Sequence, residues 1–171
     1  VRPGLDFLHE LKAGRRVAPG KRVVVVGGTD TAVATARAAL RLGSEPVVLV
    51  PGRREDLTAD PATVGEALRE GVRFEFLVSP IGLQTAEHTD DEPPLEAIRS
   101  MYVEGEGGTP HARLTGVVCV RMQPVGDGER PVPVQGSQFF LPADSLFTAL
   151  GTEADFECLP ADITRKGYQI K

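Results

Sequence analysis

Only two cysteines occur in the chain, Cys119 and Cys158, and their separation rules out both a C-x-x-C redox pair and a zinc-ligand cluster. Each is expected to pack as an inert small hydrophobe. A surplus of positive charge is also lacking. The formal net charge of -5 leaves no basic face on which a nucleic acid or an anionic membrane could release counterions, so neither is expected as a partner. Long apolar runs are missing as well: residues 23–26 and 47–50 are strand-sized, far below the ~20 residues of a membrane span, and a soluble chain is expected. No charged-then-apolar leader opens the sequence, which makes the cytoplasm the default location. The first residue is Val1 and not methionine, and the chain is read as an excised segment of a larger protein. His9, His88 and His111 stand alone, without metal-binding spacing or a serine or cysteine partner, and are expected at the surface. No metal site and no catalytic residue is assigned.

What is present fits a single globular domain. A chain of 171 residues can bury a core of its own. Gly (19) and Pro (14) together exceed the usual share, so many tight connections are expected. Leu5, Leu8 and Leu11, with Phe7 on the flank, recur at helical spacing between Pro3-Gly4 and Gly14, giving a short lead-in helix. Residues 22–26 form a continuous β-branched run, as in a parallel strand covered on both faces. Gly27-Gly28-Thr29 then turns into a helix whose apolar positions Ala32, Val33, Ala36, Ala39 and Leu40 repeat up to Gly43.

A second strand is expected over 46–50. After a polar loop, Asp60-Pro61 opens another helix that ends at Gly71, and 73–78 is a third strand. From Pro80 the pattern changes. Residues 101–103, 114–122 and 139–141 read as extended segments separated by turn-rich stretches at 104–110 and 126–131, which suggests an antiparallel meander. Residues 85–94 read as an acidic, proline-bearing loop and 145–149 as a last short strand. Glu66 and Glu70 are expected on a solvated helix face. The fold class is α/β: a Rossmann-like three-layer nucleotide-binding domain with a parallel sheet and an antiparallel β-meander.

A strand that feeds a helix through a glycine turn gathers unpaired backbone N–H groups and the positive end of the helix dipole at one point, which suits a pyrophosphate. Against G-x-G-x-x-G/A, Gly27 supplies the tight turn and Ala32 permits close packing, while Thr29 replaces the middle glycine. A branched side chain at 29 must either crowd a phosphate or turn aside. Glycines after a strand also serve simply to turn the chain, and that reading stays open. After the second strand come Arg53 and Arg54, where a 2′-phosphate would lie, so they favour NADPH over NADH. Solvated loop arginines are the plainer alternative.

Residues 4–8, 23–39, 70–74, 130–134 and 143–155 resemble the small subunit of glutamate synthase and its relatives, a likeness that runs across nearly the whole chain. That family usually has three consecutive glycines, then Asp or Asn, then Thr-Ala. Here the run is Gly27-Gly28-Thr29-Asp30-Thr31-Ala32, with one glycine absent. The family's arginine-bearing run after the second strand also has a shorter counterpart, Pro51-Gly52-Arg53-Arg54.

The resemblance implies a nucleotide-binding domain inserted between two halves of a flavin-binding domain, with an iron–sulfur segment further upstream. It implies a single NAD(P)-binding domain over 1–171: lead-in helix and linker at 1–20, core at 21–150, and at 151–171 a crossing back toward an FAD domain. The implied dinucleotide site is Gly27, Gly28, Thr29, Asp30, Thr31, Ala32, Arg53, Arg54 and Gly151, with NADPH as cofactor, NADH possible, and FAD held only by flanking segments. The implied partners are the FAD-binding and iron–sulfur segments of the parent enzyme and a glutamate synthase large subunit. In the intact enzyme a hydride would pass from NADPH to FAD. The chain alone is not expected to turn over. A degenerate, non-catalytic module for docking or nucleotide sensing is the alternative, on the strength of Thr29 and the shortened 51–52 segment.

Overall fold

Consecutive valines at 23–26 offer no polar face to water, so the strand they form has to be covered on both sides. The computed structural model, which describes residues 1–85, 114–126 and 130–151 together with the backbone of 165–166 and 169–170, covers them twice over. Strands β1 (Arg2–Pro3), β2 (Arg22–Val26), β3 (Glu45–Val50), β4 (Arg73–Phe76) and β9 (Ser145–Thr148) form one parallel sheet. Its order is β1-β9-β2-β3-β4. Helices α1 (Gly4–Lys12), α2 (Asp30–Arg41) and α3 (Pro61–Glu70) lie over one face.

An antiparallel sheet lies over the other. It comprises β5 (Val78–Thr85), β6 (Leu114–Gln123), β7 (Val132–Pro133) and β8 (Phe139–Pro142), with β6 pairing to all of the others. A short antiparallel ribbon is formed by β10 (Arg165–Lys166) and β11 (Gln169–Ile170).

The period-two geometry of a strand divides the valines between two cores. Val23 and Val25 join Val48, Val50 and Phe147 beneath the helices. Val24 and Val26 join Val47, Leu49 and Leu146 against Val78, Val117 and Cys119 of the antiparallel sheet. Phe7 of α1 packs against Phe147 in a tilted pair with ring centroids 4.6 Å apart, both rings fully buried. Truncating such a ring to Ala typically costs about 3–5 kcal/mol.

Helix α2 starts where Thr29 caps it by accepting the Ala32 N–H, and it buries Ala32, Val33, Ala36 and Ala39 at the expected spacing. Asp60 caps α3, Pro61 follows at the first helical position, and Gly71 ends it at φ +105°. These boundaries agree with the sequence reading.

Several expectations need correction. The third strand does not run through 73–78: it stops at Phe76, and Leu77 at φ +55° hands the chain to the second sheet as β5. Pro80 and Gly82 do not end that strand but sit at a register shift within it, so Thr85 belongs to β5 and not to a loop. A bulge absorbs breaker residues that would otherwise argue against a strand. In α1 the buried face is formed by Gly4 and Phe7, with Leu8 and Leu11 packed at its margin, whereas Leu5 is exposed.

Glu70 is more than a solvated helix residue: it takes paired hydrogen bonds from Arg37 (2.9 and 2.5 Å) and one from Arg41 (3.1 Å), while Glu66 lies 3.1 Å from Arg37. Together these pairs lash α2 to α3. The expected strand at 101–103, most of the 85–94 and 104–110 loops, and Cys158, His88 and His111 lie outside the described residues. His9 is exposed, as expected.

Candidate nucleotide-binding site

Strand β2 ends in the centre of the parallel sheet, and the chain must turn there without colliding with β9, its neighbour. At Gly27 the solution is φ +140° and a backbone so close to β9 that an added Cβ would lie 2.1 Å from the Ala149 carbonyl oxygen. Only glycine fits. The Gly27 N–H is spent on the Leu49 carbonyl at 3.0 Å. The next N–H groups, of Gly28, Thr29, Asp30 and Thr31, have no hydrogen-bond partner among the described residues. They stand at the positive end of α2, the arrangement that binds a phosphate.

Thr29 turns aside from this cradle. Its hydroxyl donates to the Ala149 carbonyl at 2.9 Å and accepts the Ala32 N–H at 3.3 Å. The side chain thus tethers the turn to β9 and caps the helix. Ala32 is fully buried, as a packing residue would be.

The loop after β3 is fastened to the same turn. The Gly28 carbonyl accepts the N–H groups of Thr58 and Ala59, each at 3.0 Å, and the Thr58 hydroxyl at 3.3 Å. The Asp30 carboxylate accepts the Asp60 N–H at 2.9 Å. Leu57 packs directly over Gly28.

Arg53 and Arg54 are therefore carried by a loop whose far end is bound to the glycine turn. Arg53 begins a short 3-10 turn (Arg54–Asp56): its N–H donates to the Asp56 carboxylate at 2.7 Å, and its guanidinium lies 3.8 Å from Glu55. Arg54 is exposed and forms no ion pair with another described residue. Gly151 lies two residues past the Ala149 contact, exposed, at φ +113°.

Sequence reasoning missed Thr58, Ala59, Asp60 and Ala149. Their part is played by backbone N–H and C=O groups meeting across about 30 and about 120 residues, which leave no residue-type signature.

Among the described residues the strongly shifted groups lie elsewhere and are structural. Asp144 accepts the N–H groups of Lys21 and Arg22 and pairs with the Arg22 guanidinium at 2.7 Å, which holds its carboxyl down at about 2. The Arg37 and Arg41 contacts lower Glu70 to about 2. Burial pushes the Cys119 thiol up to about 12, so it is un-ionised and unreactive, as expected. Among the described residues no group of three or more metal-ligating side chains is found, and no helix is long and apolar enough to cross a membrane.

The chain is 38% identical over 168 residues, 95% of its length, to the NADPH-Fe(3+) oxidoreductase subunit beta of Geobacter sulfurreducens. It is 35% identical over 167 residues to the NADP(+)-dependent formate dehydrogenase subunit beta of Moorella thermoacetica, covering 94% of the chain. Over 137 residues, 77% of the chain, it is 33% identical to the glutamate synthase (NADPH) small chain of Escherichia coli. The chain spans only 22%, 20% and 24% of those relatives' own lengths. No protein-family profile matches it. Among solved structures, thioredoxin reductase from T. acidophilum shares the fold, with a TM-score of 0.50 and 15% identity over 78% of this chain and 32% of that one.

Proposed function

From the membership of this chain in the family of the glutamate synthase small chain and the NADPH-Fe(3+) oxidoreductase beta subunit, of which it matches one segment, we propose that it is the NAD(P)H-binding domain of a flavin-dependent oxidoreductase. It positions NADPH for hydride transfer to FAD held by a part of the enzyme outside these 171 residues. The observation that carries this reading is the glycine turn: four N–H groups, at 28, 29, 30 and 31, left open at the start of α2 and fastened to the loop that bears Arg53 and Arg54.

In this reading the open N–H groups hold the pyrophosphate, and Gly27 lets the turn lie against β9. Arg53 and Arg54 take the 2′-phosphate through charge-assisted contacts. Gly151, two residues past the Ala149 contact, lets the chain turn at φ +113° beside the nucleotide. Bound NADPH supplies the hydride. These residues orient it, a task that requires no acid or base from the chain. The names of the relatives, which carry NADPH and NADP(+), support the choice of nucleotide. The partners would be flavin and iron–sulfur segments of a longer subunit, and the setting cytoplasmic.

Calorimetric titration of the chain with NADPH and NADH tests the proposal. Binding of NADPH in preference to NADH is expected. Binding of neither would overturn it in favour of a degenerate docking module, the reading to which the glycine absent at 29 and the shortened 51–52 segment belong.

A further inference from the structure

Asp30 places a carboxylate beside a proposed phosphate site, where its charge opposes any anion. Its position in the fold shows what is gained in exchange. Three consecutive amides of the loop, those of Thr58, Ala59 and Asp60, are held by the glycine turn: the first two by the Gly28 carbonyl, the third by the Asp30 carboxylate. Immediately beyond, Pro61 has no N–H, and α3 is capped by the Asp60 side chain on Thr63 at 3.0 and 3.1 Å. Asp30 is thus attached to the point where the loop becomes rigid helix. In the other direction the loop runs to Asp56, whose carboxylate takes the Arg53 N–H. A chain of hydrogen bonds and short covalent spans leads from Asp30 to the two arginines.

The geometry points to Asp30 as a positioning residue that fixes the Arg53–Arg54 loop against the glycine turn, so that it sets discrimination between 2′-phosphorylated and 2′-hydroxyl dinucleotides while lowering affinity for both. This inference rests on the nucleotide-binding reading above. Acceptor and charge can be separated. Asp30→Asn retains an oxygen for the Asp60 N–H and removes the charge, whereas Asp30→Ala removes both.

The test is titration of the 171-residue chain and both variants with NADPH and NADH at low and high salt, with amide hydrogen exchange in the absence of nucleotide. Asp30→Asn should bind both nucleotides roughly two- to fivefold tighter at low ionic strength, with their ratio kept and the gain shrinking as salt screens it. Asp30→Ala should lower the NADPH:NADH preference by roughly fivefold or more, the value of a misplaced charge-assisted contact. It should also speed exchange at the Asp60 amide and through residues 51–59, which Asp30→Asn should leave protected. An unchanged preference in Asp30→Ala, or an equal loss in both variants, would overturn the inference. If the wild type binds neither nucleotide, the functional reading falls and takes the selectivity with it. The exchange data still decide the clamp, since unchanged protection in Asp30→Ala would overturn it on its own.

Discussion

The Thr29 hydroxyl donates to the Ala149 carbonyl oxygen at 2.9 Å, joining two turns 120 residues apart. The same oxygen is the atom that an added Cβ at Gly27 would strike. Threonine in the glycine position is therefore not a steric burden on the cradle but a tie from the turn to the neighbouring strand.

Replacing Thr29 with Gly should remove both this hydrogen bond and the α2 cap, costing about 1–2 kcal/mol of stability. Thr29→Ser, which keeps the oxygen, should cost much less. Urea denaturation of the two variants checks this. A Thr29→Gly chain as stable as the wild type would show that the tether carries no net energy.

Replacing Arg53 and Arg54 together with Ala should weaken NADPH binding far more than NADH binding, by roughly 1.5–3 kcal/mol for each arginine that pairs with the 2′-phosphate. Calorimetry on the double variant makes the comparison. An equal weakening for both nucleotides would mean that these arginines do not read the 2′-phosphate.

Thr35 lies on α2, fully buried, with its hydroxyl turned toward Gly4 of α1 and unpartnered among the described residues. An unsatisfied buried hydroxyl costs free energy that an isosteric methyl does not. Thr35→Val should raise stability by about 1 kcal/mol, read from the urea midpoint. A lower midpoint would show that the close approach to Gly4 cannot accept the larger methyl group.

Asp144 links β9 to the start of β2, and its carboxyl at about 2 lies below the ordinary carboxylate value of ~3.9. A depressed folded-state value means that the stabilisation is complete above about pH 4 and is lost as pH falls through about 2. Glu70, lowered by Arg37 and Arg41, acts in the same direction. Asp144→Asn should cost about 1–2 kcal/mol at neutral pH, reduced from the buried-pair figure because the Arg22 side chain is well exposed. It should also flatten the decline between pH 4 and pH 2, as seen in melting temperatures across that range. A variant with the wild-type acid profile would exclude Asp144 as a source of it.

By itself the sequence determined the elements whose signals are local. The valine run at 23–26, the alanine spacing of α2, and Asp60-Pro61 with Gly71 at the two ends of α3 each act through neighbours within a turn or two, so residue type is enough to place them. The glycine turn and its arginine-bearing loop could be read in the same way. Only tertiary structure decided the rest. Leu77 divides one apolar run between two sheets, and Pro80 and Gly82 are absorbed by a register shift because β6 is there to pair with them. The site follows the same rule. The Thr29 hydroxyl and the Asp30 carboxylate each meet a backbone group, of Ala149 and of Asp60, that every residue carries, and a partner chosen by where its peptide group lies, and not by its side chain, leaves no trace in the order of residues.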